Sequence, residues 1–268
     1  LKRDVFELPE VTLSEEGGVR YLHLGTPWIQ GGMRIKSPQV VEIDYVQRML
    51  ASLLWLPTLD PGDARAVQLG LGAGALTRFT AVQLRMETTA VEINPQVIAV
   101  NGNWFHLPQQ AEVVRGDAAD WLAQAEPHSV RLLFVDLYDH EAAAPVLDGE
   151  DFYRACCSVL ETGGVMSVNL FGRHASFRDS IQRIAAAFGA DQVWSLRPTR
   201  EGNTVVVAGR GVVVPSREEL TQRAAVIEQR FGKLNLPARK WLRMVRPFRS
   251  EAQAEARPES QPDIPSEP

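Results

Sequence analysis

Between Ala64 and Arg210 the chain alternates between two apolar patterns. Dense short runs at Ala66–Leu71, Thr88–Ile93, Ala111–Arg115, Val130–Asp136 and Gly164–Asn169 suit strands buried on both faces. Helical spacing separates them at Ala75–Gln83, Pro95–Trp104, Ala118–Ala125 and Phe152–Leu160. A further helix over Phe177–Phe188 leads to strands at Gln192–Leu196 and Thr204–Ala208. This series predicts an α/β fold, a doubly wound and mostly parallel sheet with helices on both faces. Upstream, short apolar segments broken by Gly17-Gly18, Gly25, Pro27 and Gly31-Gly32 read as β-hairpins. A helical period over Val41–Leu56 ends at Pro57. The expected organisation is therefore 1–62 hairpins and connecting helix, 63–210 sheet domain, 211–249 C-terminal helices, and 250–268 a tail. The tail is rich in Glu, Pro, Ser, Gln and Ala, too poor in apolar surface to offset its ordering entropy, and is expected to be disordered.

Composition narrows the partners. A net charge of -5 over 268 residues, with no dominant basic stripe, argues against nucleic acid. No apolar run reaches the ~18 residues of a membrane span, and Leu1–Glu10 lacks the apolar segment of a signal peptide. The two cysteines, Cys156 and Cys157, are adjacent in a helical stretch and point to different sides of it. They read as packing thiols of a reducing, cytoplasmic compartment, with no metal spacing among Cys and His.

The candidate chemistry lies at strand ends. The first strand runs into Gly70-Leu71-Gly72-Ala73-Gly74 and then a helix, a turn that lets backbone approach a ligand. A tight βα turn with nothing bound accounts for roughly a third of such glycine patterns. The second strand ends at Glu92, eighteen residues after Gly74, suited to the two hydroxyls of a ribose or to capping the helix at Pro95. Asp117 follows the third strand and suits an adenine amino group, a helix N-cap, or both. Asp136 ends the fourth strand and leads into Leu137-Tyr138-Asp139-His140. In a doubly wound sheet these ends border one crevice if the first and fourth strands flank the reversal of strand order. A nucleoside-binding transferase domain follows. His140 suits a base or an acceptor pocket, or simple solvation. Trp104, Phe105 and Trp121 fall at core-like helical positions, where packing is the default. Trp28, in a Gly/Pro-rich loop, is a candidate gate. The basic run Arg239, Lys240, Arg243, Arg246 and Arg249 reads as a solvated helix face.

Taken together, Val67–Gly74, Ala90–Pro95, Arg115–Ala118, Val135–Asp139 and Gly163–Val165 resemble the spermidine synthase (polyamine aminopropyltransferase) family, in its divergent spermidine-synthase-like branch. The hairpins followed by Tyr45–Leu50 resemble it too. The resemblance implies a class I S-adenosylmethionine methyltransferase-like (Rossmann-like) sheet with a small N-terminal β-hairpin domain, and commonly a homodimer. It implies decarboxylated S-adenosylmethionine as co-substrate, no metal, and a small polyamine such as putrescine as acceptor. It assigns Glu92 to the ribose, Asp117 to the adenine, Asp136 to catalysis and Asp139 to diamine binding. Gly70, Gly72, Gly74 and Gln47 fall on the donor side, and Tyr45, Tyr138 and His140 on the acceptor side.

Departures from the family pattern stand beside these matches. The glycine turn carries Ala73 where the family usually has an Asp, and Arg200 replaces a tyrosine before the last strand. An early donor-contacting glutamine has no match near Gly17, Arg34 stands where another is expected, and Tyr45 is offset by one from the family's tyrosine. Two other readings stay open: a methyltransferase using intact S-adenosylmethionine, which Ala73 favours, and a non-catalytic nucleoside-binding protein.

Overall fold

The computed structural model describes residues 8–60, 62–137, 147–171 and 174–249. Val19, Leu22 and Met33 are buried, so one face of a small antiparallel sheet is apolar. It consists of β1 (Val11–Glu16), β2 (Val19–Leu24) and β3 (Gly31–Arg34). Leu22 and Met33 pack on Leu71, Ala73, Ala90, Val97 and Phe105, and so bear directly on the glycine turn. Polar contacts fix the same docking. Val11 N–H donates to Gln96 Oε1 at 2.9 Å, the Asn94 amide to Pro9 O at 2.9 Å, and Arg20 to Trp104 O at 2.7 Å.

The dense apolar runs form the main sheet: β4 (Arg65–Leu69), β5 (Glu87–Glu92), β6 (Glu112–Arg115), β7 (Val130–Val135) and β8 (Leu160–Phe171), all parallel. β9 (Val193–Ser195) and β10 (Asn203–Gly209) follow, with β10 antiparallel between β8 and β9. Among the described residues the order is β6-β5-β4-β7-β8-β10-β9, with a two-residue β11 (Arg246–Pro247) at the edge beside β9. β4 and β7, the first and fourth strands of the sequence reading, are neighbours, and the order reverses between them. Helices α3 (Pro95–Trp104), α4 (Ala118–Gln124), α5 (Glu150–Val159) and α6 (His174–Phe188) connect the strands.

Several elements differ from the apolar pattern. The Val41–Leu56 period is a short α1 (Asp44–Met49) that tightens into a 3₁₀ turn over Leu50–Trp55. Every residue of that turn is buried, so packing rather than helical regularity sets its course. Similarly, α2 (Ala75–Arg78) widens into a π turn over Phe79–Leu84. α7 (Arg217–Phe231) and α8 (Ala238–Trp241) share a core with residues 41–56: Trp55, Phe79, Phe231 and Trp241 belong to one apolar cluster. The basic run is only partly helical, because β11 (Arg246–Pro247) pairs with β9 at the sheet edge. Trp104 does not pack in the core. It is 51% exposed, with the Arg20 guanidinium 5.1 Å from its ring, while neighbouring Phe105 is fully buried. Cys156 is buried and Cys157 half-buried, both as free thiols.

Candidate functional site

The turn after β4 requires glycine for different reasons at different positions. Gly70 sits at φ +86, and a Cβ there would lie 2.2 Å from the carbonyl oxygen of Asp136. The ends of β4 and β7 are therefore in backbone contact, reinforced by the Asp136 N–H donating to Leu69 O at 2.9 Å. Gly74, at φ +67, precedes α2, and a Cβ would lie 2.6 Å from Asn101 Oδ1. Gly72, at φ +50, is less crowded, its closest approach being Gln30 O at 3.4 Å. The turn is braced from below: Asn101 donates to Gly72 O at 2.7 Å, and Arg78 donates to Ala73 O and Phe105 O, each at 2.7 Å. Arg78 also reaches Pro38 O at 3.1 Å. Burial lowers this guanidinium to about 10.

Glu92 joins the second strand to the same turn. Its carboxylate accepts from Leu71 N–H at 2.9 Å and from Asn94 N–H at 2.8 Å. The cap of α3 is Asn94 itself, which accepts from Gln96 N–H at 2.9 Å. Each oxygen of Glu92 keeps further acceptor capacity for a hydroxyl. Burial pushes this carboxyl above its ordinary range, partly offset by the backbone donors, and the Asp136 charge adds to the rise.

Asp136 lies across the reversal point. Its Oδ2 accepts from the Tyr45 hydroxyl of α1 at 3.1 Å, and its Oδ1 from the Asn169 amide of β8 at 2.9 Å. Burial raises this carboxyl, and the two donors pull it back. Gln30, Gly31, Tyr45, Gln68, Gly72 and Asp136 line a small cleft between β3 and the turn. The structure thus brings Gly70, Gly72, Gly74, Glu92, Asp136 and Tyr45 together.

Other expected residues are placed differently. Asp117 caps α4, accepting from Ala119 N–H at 2.7 Å and Asp120 N–H at 3.2 Å. Gln47 is buried, its amide donating to Val41 O at 2.9 Å and Glu42 O at 3.3 Å and so bracing the chain before α1. Two residues at the site escaped the sequence reading. Gln30 lines the cleft with its buried Nε2 lacking any partner among the described residues. Gln30 stands at the entry to β3. The polar residue in Trp28-Ile29-Gln30-Gly31-Gly32 was the available signal. Asn169 is the second: it ends the Gly164–Asn169 run as read from the sequence, but the strand continues through Leu170 and Phe171, and its amide points to Asp136 on the neighbouring strand. Arg34 is paired with Glu42, and Arg200 is exposed. Trp28 is 65% exposed. Tyr138, Asp139 and His140 lie outside the described residues.

A polyamine aminopropyltransferase of Chromobacterium violaceum is 35% identical over 84% of this chain and 86% of its own length. One from Neisseria meningitidis serogroup A is 31% identical over 84% of this chain and 85% of its own. The chain belongs to the polyamine aminopropyltransferase family. No family model matches it. Solved structures agree on the fold. A "probable spermidine synthase" from Corynebacterium glutamicum superposes with TM-score 0.69, 19% identity and 95% coverage of both chains. Human methyltransferase-like protein 13, in complex with SAH, gives 0.61 at 20% identity, covering 78% of this chain and 97% of its own. The aminopropyltransferase family and the methyltransferases thus share this sheet, and the fold by itself does not choose between their reactions.

Proposed function

We propose that this chain binds decarboxylated S-adenosylmethionine at the glycine turn and transfers its aminopropyl group to a diamine such as putrescine. The observation that carries the reading is Asp136: a half-buried carboxylate, held on both oxygens, at the strand reversal facing the glycine turn. Its relatives bear the aminopropyltransferase name, and a spermidine synthase with this fold has been solved in complex with the transition-state analogue AdoDATO.

The donor fits the residues present. Glu92 offers acceptors for the ribose, Gly72 leaves backbone open to close approach, and Gln30 supplies an unspent amide donor. Asp117 is assigned to the adenine, with its capping role retained.

Transfer is an in-line displacement. The amine nitrogen forms a bond to the aminopropyl carbon as the carbon–sulfur bond breaks, and sulfur leaves as a neutral thioether. The leaving group needs no acid, whereas the nucleophile must shed a proton. An alkylamine of pKa about 10.4 costs roughly 4 kcal/mol to neutralise at pH 7. Asp136 orients the ammonium and accepts that proton. Asp139, Tyr138 and His140 are assigned to the rest of the acceptor pocket. The same reading extends to a cytoplasmic homodimer acting without nucleic acid or membrane, and among the described residues no helix is long and apolar enough to cross a membrane.

A second reading, methyl transfer from intact S-adenosylmethionine, is favoured by Ala73. That position is buried, and a Cβ on Gly31 would lie 2.7 Å from the Ala73 Cβ. No carboxylate stands there to repel the carboxylate of the intact donor. Calorimetry with S-adenosylmethionine, its decarboxylated form and methylthioadenosine separates the readings. Preference for the decarboxylated donor together with putrescine turnover supports the first. Preference for the carboxylated donor transfers the assignment to the second, and no binding of any of the three rejects both.

A further inference from the structure

The carboxylate of Asp136 belongs to a chain of side chains that reaches two strands further into the sheet. An amide has one donating and one accepting end, whereas an ionised carboxylate only accepts. Asn169 must therefore present Nδ2 to Asp136, as it does at 2.9 Å. Its Oδ1 then faces β10, where Asn203 Nδ2 donates to it at 3.2 Å. The orientation of Asn203 is set in turn by Thr199. The Thr199 hydroxyl donates to Asn203 Oδ1 at 3.4 Å and accepts from Asn203 N–H at 3.2 Å, while Thr199 N–H donates to Asn203 O at 2.8 Å. Asn169 and Thr199 are buried, so little solvent competes for these groups.

We propose that Asn203 is a positioning residue, which fixes the end of the Asn169 amide that faces Asp136 and so keeps that carboxylate ready to take the proton. The proposal rests on the aminopropyl-transfer reading of Asp136. It goes beyond that reading by giving the loop before β10 a say in the chemistry. Among the described residues, the titratable groups facing Asp136 are Tyr45 from α1 and Glu92 from β5. Asn169 from β8 is uncharged, and the glycine turn adds no ionisable group.

Asn203→Asp replaces the donor with an acceptor. Asn169 should then turn Nδ2 toward residue 203 and set its own oxygen against Asp136. The expected result is a kcat about tenfold lower and an acid limb of the kcat profile about one pH unit higher, with donor KM changed less than about twofold. A carboxylate at 203 also acts through space, so the same change is made in an Asn169→Leu background. There its added effect should shrink to less than about threefold if it works through Asn169. Equal shifts in both backgrounds, or none in either, overturn the proposal. If Asn203→Asp does not fold by circular dichroism, Asn203→Leu carries the test, with an acid-limb shift of the same sign and smaller size expected, and no shift overturning it. Carbon-13 titration of the Asp136 carboxyl, assigned with Asp136→Asn, gives a readout independent of turnover. A shifted titration without any putrescine turnover in the wild type keeps the relay and sinks the aminopropyl reading. Turnover with an unshifted titration does the reverse.

Discussion

Replacing Gly70 with alanine tests whether the glycine turn and Asp136 behave as one mechanical unit. The new Cβ would stand 2.2 Å from Asp136 O and 3.3 Å from Leu137 Cδ2. The obstructing atom is backbone, so no rotamer change relieves the overlap. The end of β7 must retreat by roughly 1 Å, and a displacement of that size at a reacting group costs on the order of 10²-fold in rate. The left-handed backbone at φ +86 adds about 1–2 kcal/mol of destabilisation, before the clash itself. Gly72→Ala is the control. It shares the positive φ, but its closest neighbour is Gln30 O at 3.4 Å, an ordinary contact. Steady-state aminopropyl transfer and thermal melts followed by circular dichroism would be measured on both variants. Gly70→Ala should lose kcat by about 10²-fold, and Gly72→Ala should keep kcat within about threefold while losing donor affinity, since its methyl enters the approach to the nucleoside. Unchanged kcat in Gly70→Ala, or equal kcat losses in the two variants, would refute the reasoning.

Asp136→Asn is expected to reduce turnover by about 10²–10⁴-fold and to leave methylthioadenosine affinity nearly intact by calorimetry, and equal losses of both would contradict a role in proton transfer. Burial raises Asp136 in the folded state, so its stability contribution is present below the unfolded value and lost as pH rises through the folded one. The stability of Asp136→Asn relative to wild type should therefore grow as pH rises above the ordinary carboxylate value of about 4 in melting experiments, and a flat difference would contradict the assignment. Tyr45→Phe removes a donor that pulls the Asp136 carboxyl down, so the acid limb of its kcat profile should move to higher pH. A limb that stays in place would show that Tyr45 acts elsewhere. Arg78→Met strands three carbonyls, two of them met by a buried nitrogen, and should cost about 3 kcal/mol or more in chemical denaturation, against under about 1 kcal/mol if the contacts are incidental.

The strand and helix pattern from Ala66 to Ala208 was legible because periodicity and turn residues are local properties, and buried parallel strands advertise themselves as dense apolar runs. Gly70, Glu92 and Asp136 were legible for a related reason: a polar or glycine residue ending such a run sits at the rim of the sheet wherever the run is placed. What periodicity does not encode is which surfaces meet. The docking of β1–β3 on Leu71 and Ala73, the addition of β11 to the sheet edge, and the exposure of Trp104 all depend on contacts between residues far apart in the chain. Gln47 and Gln30 show the same limit at the site. Each is a glutamine near α1 or β3, and only the folded chain shows that one spends its amide on Val41 and Glu42 while the other meets the cleft. Asn169 ends an apolar run just as Asp136 does, yet its chemistry depends on Asp136 and Asn203, 33 and 34 residues away on neighbouring strands, and no local pattern pairs them. Hydrogen-bond orientation is a property of pairs in space, and those pairs exist only once the strands have taken their order.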